Sequence, residues 1–139
     1  MSKILIIEDE ESIRRVLRKV LMEEDSSYNI IEAFDGDQAI EMVKKNKIDL
    51  ILCDIKMPKK DGIEVLNFLI KDYQEIPVIM ISGHGDLETA VESMRLGAFD
   101  YISKPPDLNR LLNSVRGALK NKLFIKKNKS VLKKTKDFK

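Results

Sequence analysis

The sequence predicts an α/β domain in which a doubly wound, five-stranded parallel sheet is flanked by five helices. Five short apolar runs recur through the first 102 residues, and an amphipathic segment follows each of them. The runs are continuously apolar rather than alternating, which is typical of parallel strands covered on both faces. A repeated strand–helix alternation favours a parallel sheet with helices on both sides. The chain has 139 residues, enough for one domain with a buried core.

The apolar runs mark the predicted strands, and helical spacing of apolar residues marks the helices between them. Turn residues separate the elements: Pro58 and Gly62 lie after the third strand, Gly97 follows the fourth helix, and Pro105-Pro106 precedes the fifth. The predicted strands are Ile4–Ile7, Tyr28–Ala33, Leu50–Cys53, Val78–Ile81 and Phe99–Ile102. The predicted apolar helix faces are Ile13, Val16, Leu17, Val20 and Leu21; Ala39, Ile40 and Val43; Val65, Leu66 and Leu69; Ala90, Val91 and Met94; and Leu108, Leu111, Leu112, Val115 and Leu119.

Composition excludes several classes of protein. The chain is 43% hydrophobic and 35% charged, as in ordinary globular domains, and its apolar runs are too short to span a bilayer. The start, "MSKILII", lacks a long apolar core and a small-residue cleavage site, so we expect no export signal. The single cysteine, Cys53, excludes an internal disulfide and fits a reducing compartment. We therefore expect a cytoplasmic protein without membrane partners.

Charge divides the chain near residue 120. Residues 120–139 carry nine lysines and one aspartate, so this tail is about +8 and residues 1–119 about −6, against +2 for the whole chain. We interpret 1–119 as the domain and 120–139 as a basic linker to an output domain beyond this sequence. A helical dimerisation segment and a surface for an acidic partner are the alternatives. No helix-turn-helix follows, so we expect no direct DNA binding by this segment.

Polar side chains stand where four of the predicted strands end. Glu8 and Asp9 end the first, Asp54 ends the third, Ser82 follows the fourth and Lys104 lies shortly after the fifth. In open parallel sheets, sites form outside the carboxyl ends of the strands. Any one of these residues could simply be exposed at a strand end. All five at one edge indicate a site.

The chemistry of this set favours phosphoryl acceptance. Two carboxylates about 5 Å apart repel by roughly 3 kcal/mol at an effective dielectric near 20, so three of them call for a cation. An all-oxygen site open to water suits Mg²⁺. Lys104 and Ser82 can hold anionic oxygens. A carboxylate beside such groups can act as the nucleophile of aspartyl-phosphate chemistry.

Four motifs together resemble the receiver domain of bacterial two-component response regulators: "EDE" at 8–10, "DIKMPKKDG" at 54–62, "ISG" at 81–83 and "GAFDYISKP" at 97–105. The resemblance covers residues 3–119 and implies a flavodoxin-like fold with strand order 2-1-3-4-5. The implied site residues are Asp54 as phosphoacceptor; Asp9, Asp54 and the backbone carbonyl of Lys56 as Mg²⁺ ligands, with Glu8 acting through water; Ser82 and Lys104 contacting the phosphoryl group; Tyr101 as an aromatic switch; and Pro105 after a cis peptide bond.

The resemblance also implies partners. A sensor histidine kinase would supply the phosphoryl group, and the domain would act as a signalling module with self-phosphorylation and self-dephosphorylation, not as a metabolic enzyme. Residues 82–105 resemble receivers of the sigma-54-dependent, nitrogen-regulator type. This implies a transcriptional regulator whose further parts are an ATPase module and a DNA-binding domain. Phosphorylation would repack the surface of the fourth helix, fifth strand and fifth helix, with a homodimer as one outcome.

Three other functions are weighed against this one. A flavodoxin needs a hydroxyl- and amide-rich phosphate cradle after the first strand, and "EDEES" at 8–12 has the wrong charge. A haloacid-dehalogenase phosphatase needs an Asp-x-Asp pair after its first strand, which this sequence lacks. A receiver that cannot be phosphorylated and acts as a scaffold is the main alternative. The presence of Asp9, Asp54, Ser82 and Lys104 argues against it.

Overall fold

Nine strands and helices, and a tenth segment that is helical over 108–121, alternate along the chain. The computed structural model describes residues 2–83 and 87–121, so the tail predicted for 120–139 lies outside them except for residues 120 and 121. The strands are β1 (Lys3–Ile7), β2 (Asn29–Ala33), β3 (Leu50–Asp54), β4 (Val78–Ser82) and β5 (Asp100–Ser103). The helices are α1 (Glu11–Glu24), α2 (Gly36–Lys45), α3 (Gly62–Asp72), α4 (Leu87–Leu96) and α5 (108–121).

The strands form one parallel sheet in the order β2-β1-β3-β4-β5, so the predicted fold class and strand order are confirmed. Successive side chains of a strand point to opposite faces, and both faces of the central strands are buried. Leu5 and Ile7 therefore lie in one apolar core, and Ile4 and Ile6 lie in the other. This double burial explains the continuous apolar runs in the sequence.

Three of the predicted helix faces are partly wrong. In α5, Leu108 is 41% exposed. In α1, Val16 is 51% exposed, and the position toward the sheet is taken by Arg14. In α4, Val91 and Met94 are 49% and 47% exposed, while Ser93 is fully buried. Apolar spacing indicates which residues share a face, but the neighbouring elements decide how much of that face is covered. α4 packs against α3 and β5, and its apolar residues Leu87, Val91 and Met94 remain exposed among the described residues.

The loop between β3 and α3 is held tightly against its neighbours. Gly62 lies so close to the main chain of Asp54 and Ile55 that a Cβ atom would collide with it. Gly36, at the start of α2, meets the main chain of Lys60 in the same way. Lys59 adopts a left-handed backbone conformation, with φ 66°, and its ammonium lies 3.6 Å from Asp35. The loop that follows Asp54 is therefore fixed from both sides.

Two further expectations can be compared with the described residues. The peptide bond between Lys104 and Pro105 is cis, as predicted. Within 2–83 and 87–121, none of the helices combines the length and the apolar character needed to cross a bilayer.

Candidate functional site

Residues from four strands meet at the carboxyl edge of the sheet. β1 and β3 are hydrogen-bonded neighbours with Ile7 opposite Cys53, which places Glu8 beside Asp54. Ligand oxygens of Glu8, Asp9 and Asp54 all lie within 4.8 Å of one another. The sequence predicted this convergence, and we call these three residues the acidic cluster.

Lys104 joins the acidic cluster from the other side. The register of β4 and β5 places Ser82 opposite Ser103, so Lys104 follows directly at the same edge. Its ammonium nitrogen lies 2.8 Å from Glu8 Oε1 and 3.2 Å from Asp54 Oδ1. Its backbone amide donates to the carbonyl oxygen of Ser82 at 2.7 Å. One cation thus faces two of three carboxylates.

The pairing of Glu8 is incomplete. Its side chain is almost fully buried, and its second oxygen, Oε2, has no hydrogen-bond partner among the described residues. Burial and, to a smaller extent, the neighbouring Asp54 raise the pKa of Glu8 to about 8, although Lys104 opposes the shift. Burial also lowers the pKa of Lys104, but its contacts with Glu8 and Asp54 outweigh this, so the net pKa is above its usual value. The site has more negative charge than Lys104 alone can compensate.

These features fit a hard divalent cation. Three carboxylates with one buried, unpartnered oxygen offer oxygen ligands, and Asp9 is exposed, which leaves room for water. Mg²⁺ keeps several waters and takes one or two carboxylates directly, so this donor set suits it. Lys56 lies two residues beyond Asp54 on the exposed side of the fixed loop.

The two remaining predicted residues occupy different surroundings. Ser82 is buried as the last residue of β4, one strand away from Asp54. Tyr101 lies in β5, is half-buried, and packs against the core that contains Met80 and Ala98. It is separated from the acidic cluster by β4 and is not part of it.

The sequence analysis missed Arg14. Its guanidinium is buried, donates to the carbonyl oxygen of Glu8 at 2.8 Å, and stacks 4.1 Å from the ring centroid of Phe34. The signal in the sequence was its position three and seven residues before Leu17 and Leu21, the buried residues of α1. A charged residue on that face is unusual, and it needs a specific partner.

An apolar groove of about 480 Å³ opens beside Lys104. Its walls include Ile13 and Val16 of α1 and the Pro105-Pro106 pair. It explains the exposure of Val16, because that side chain lines a surface next to the acidic cluster and not the core.

Comparison with known proteins identifies the arrangement. Residues 4–116 match the family described as response regulator receiver domain. The sporulation initiation phosphotransferase F of Bacillus subtilis is 37% identical over 126 residues, which cover 91% of this chain and 97% of that protein. The nitrogen assimilation regulatory protein NtrX of Azorhizobium caulinodans is 38% identical over 118 residues, 84% of this chain and 26% of that protein.

Solved structures give the same result. NtrX from Brucella abortus, in complex with ADP, superposes with a TM-score of 0.86 and 34% identity over 97% of this chain and 30% of that one. A response regulator receiver domain protein from Clostridium thermocellum superposes with a TM-score of 0.82 and 31% identity. The match covers 90% of this chain and 99% of that one. The chain thus spans about a quarter of its NtrX relative from Azorhizobium and nearly all of the sporulation initiation phosphotransferase F of Bacillus subtilis.

Proposed function

The chain belongs to the response regulator receiver domain family of two-component systems, and we propose that it accepts a phosphoryl group on Asp54 from a sensor histidine kinase. The observation that carries the proposal is the position of Asp54, at the edge of the sheet with its Oδ1 3.2 Å from Lys104 and within 4.8 Å of ligand oxygens of Glu8 and Asp9. The half-buried Asp100 at the start of β5 instead accepts two hydrogen bonds from Arg110.

The residues of the site divide the chemistry between them. An oxygen of Asp54 attacks phosphorus, the bond from phosphorus to the donor nitrogen breaks, and that nitrogen keeps the electron pair. Asp9, Asp54 and the carbonyl of Lys56 would hold Mg²⁺, with Glu8 acting through water, and the bound ion would supply charge that neutralises the phosphoryl oxygens. Lys104 and Ser82 take the remaining oxygens.

The same contacts would work as a switch. A phosphorylated Asp54 carries nearly two negative charges, which draw Lys104 and the Ser82 hydroxyl toward it. Ser82 ends β4, so its movement changes the space available to Tyr101 in the neighbouring strand. The surface of α4, β5 and α5 would then bind a partner or a second copy of the chain. The exposed apolar residues of α4, Leu87, Val91 and Met94, support this assignment.

The output of the switch is proposed from the relatives. The names of several of them state transcriptional regulation, among them CpxR of Escherichia coli and DctD of Pseudomonas aeruginosa. This chain covers only 26% of NtrX and 28% of DctD, and NtrX from Brucella abortus has been solved in complex with ATP, which supports the proposal of further modules, an ATPase among them, beyond this sequence. In this arrangement the domain is a cytoplasmic signalling module and not a metabolic enzyme.

Intact-mass measurement tests the proposal directly. Incubation with Mg²⁺ and acetyl phosphate should add about 80 Da, one phosphoryl group, to the wild type and to Asp100→Asn, and nothing to Asp54→Asn. Asp100→Asn is the matched control, because it removes an aspartate at the opposite edge of the sheet. If no variant gains mass, binding of beryllium fluoride separates rapid self-hydrolysis from the alternative of a phosphorylation-incompetent scaffold. A wild-type protein that neither gains the mass of a phosphoryl group nor binds beryllium fluoride refutes the proposal.

A further inference from the structure

Arg14 lies behind the acidic cluster and contacts it only through the main chain. Its Nη1 donates to the carbonyl oxygen of Glu8 at 2.8 Å, in a buried position. The amide nitrogen of the same residue, Glu8, donates to the carbonyl oxygen of Ala33 at 3.1 Å. The backbone of Glu8 is therefore held on one side by β2 and on the other by Arg14.

This double attachment fixes the direction of two carboxylates. The carbonyl that Arg14 holds belongs to the peptide bond between Glu8 and Asp9. A rotation about the Cα–C bond of Glu8, which would turn that carbonyl, would also move the side chain of Asp9 relative to Glu8 and to Asp54, which is anchored in β3. The strand itself cannot prevent such a rotation, because β1 ends at Ile7.

The surroundings of Arg14 explain why an arginine stands there. The guanidinium lies 4.1 Å from the ring centroid of Phe34, which is 48% exposed and covers the arginine from solvent. Phe34 is itself fixed, because its amide donates to the side chain of Gln38 at 2.8 Å. A planar group with several fixed donors can stack and donate at the same time, which the ammonium of a lysine does less well.

The ion pair of Arg14 does not account for its burial. Its nearest carboxylate, Glu32, is 3.8 Å away, and Arg18 shares that carboxylate at the same distance. The short contact of Arg14 is the one to Glu8. Arg18 offers a close comparison, because it also lies on α1 and donates to a main-chain carbonyl, that of Ile30 at 3.1 Å. Ile30, however, lies in the second position of β2, away from the acidic cluster.

We propose that Arg14, covered by Phe34, is a positioning residue that sets the geometry of Glu8 and Asp9 for a divalent cation. The inference rests on the proposed role of the acidic cluster as a Mg²⁺ site. The positioning role predicts that loss of Arg14 changes Mg²⁺ affinity in the opposite direction to the loss of its charge alone. Removal of a nearby positive charge should strengthen cation binding, whereas loss of positioning should weaken it.

Mg²⁺ titration of the whole chain by calorimetry tests the proposal, with Arg18→Met as the matched control. Arg14→Met should weaken Mg²⁺ binding about tenfold, as is typical for groups that orient metal ligands. Arg14→Lys keeps the charge and should lie between Arg14→Met and the wild type. Phe34→Leu, which leaves the arginine in place, should weaken binding less. Arg18→Met should bind Mg²⁺ as the wild type does.

Amide NMR spectra of the metal-free variants give a second readout. The signals of Glu8 and Asp9 should shift in Arg14→Lys and Phe34→Leu and stay in place in Arg18→Met. Unchanged or tighter Mg²⁺ binding in both Arg14→Lys and Phe34→Leu would overturn the inference, even if Arg14→Met failed to fold. Lowered thermal stability with unchanged affinity would also overturn it, because it indicates a purely structural role. A wild type that binds no Mg²⁺ would instead refute the proposed function.

Discussion

Glu8 and Asp100 are two carboxylates at opposite edges of the same sheet, and each faces a cation. Asp100, the first residue of β5, receives two hydrogen bonds from Arg110 at 2.7 and 2.9 Å, one from the hydroxyl of Ser114 at 2.7 Å and one from the amide of Tyr101 at 2.8 Å. Glu8 shares Lys104 with Asp54, and one of its buried oxygens has no hydrogen-bond partner in the part of the chain that the structure describes.

The two environments move the pKa in opposite directions. The hydrogen bonds from Arg110 lower the pKa of Asp100 to about 2, although burial opposes them. Burial raises the pKa of Glu8 to about 8. A saturated carboxylate contributes to the stability of the fold, whereas an unsaturated one is held by the fold at a cost that a ligand can remove. Asp100, at the amino edge of the sheet, is thus satisfied within the fold, whereas Glu8, at the carboxyl edge, is not.

The difference in stability between the two carboxylate sites should be largest when the positively charged side chain beside each carboxylate is replaced. Lys104→Met leaves two buried carboxylates without their partner and should destabilise the metal-free protein by about 3 kcal/mol at pH 9. At pH values below 8, where Glu8 takes up a proton, the destabilisation caused by Lys104→Met should be smaller. Urea denaturation of the variant at several pH values measures it.

Arg110→Met is the matched control for this change. It should cost less, because Arg110 is half-exposed and Asp100 can still bond to Ser114 and water. The comparison would fail if Arg110→Met were the more destabilising of the two at pH 9.

Replacement of the carboxylate by an amide should raise the free energy of unfolding at Glu8 and lower it at Asp100. Glu8 has a folded pKa of about 8 and an ordinary value of 4.5, so its contribution to stability is complete below 4.5 and lost as the pH rises through 8. Glu8→Gln should therefore stabilise the metal-free protein by about 2 kcal/mol at pH 8, with no difference from the wild type at pH 4.

Denaturation with and without Mg²⁺ checks the Glu8→Gln prediction. Saturating Mg²⁺ should reduce the difference in unfolding free energy between Glu8→Gln and the wild type, because bound Mg²⁺ stabilises the wild type by mass action. A variant that is less stable than the wild type at pH 8 without metal would show that Glu8 is already well satisfied there.

The sequence was sufficient for the fold and for the acidic cluster, for a physical reason. Strand ends are visible as the points where apolar runs meet charged residues, and in a parallel sheet all these ends lie at one edge. Glu8, Asp54 and Lys104 could therefore be grouped before any coordinates were known. The cis bond before Pro105 followed from family resemblance alone.

The features that were missed depend on contacts between distant elements. Arg14 is buried because Phe34, at the end of β2, covers it, and nothing in the periodicity of α1 contains that information. The exposure of Val91 in α4 depends likewise on how little of that helix its neighbours cover. Apolar periodicity predicts which residues share a face. It does not predict the partner.

Asp100→Asn should give the smallest effect and completes the comparison. The folded pKa of about 2 lies below the ordinary value of 3.8, so the stabilisation by Asp100 is present above pH 4 and lost as the pH falls through 2. Because Arg110 is half-exposed, solvent screening should reduce the cost of the substitution to about 1 kcal/mol at pH 6. Urea denaturation at pH 6 and pH 2.5 should show that this cost shrinks in acid. Glu24→Gln should change stability less at either pH, because Asp100 also accepts hydrogen bonds from Ser114 and the Tyr101 amide, whereas Glu24 is paired with Arg116 at a similar exposure. An unchanged stability at pH 6 would mean that the four hydrogen bonds to Asp100 merely replace hydration, and the contrast with Glu8 would then rest on the carboxyl edge alone.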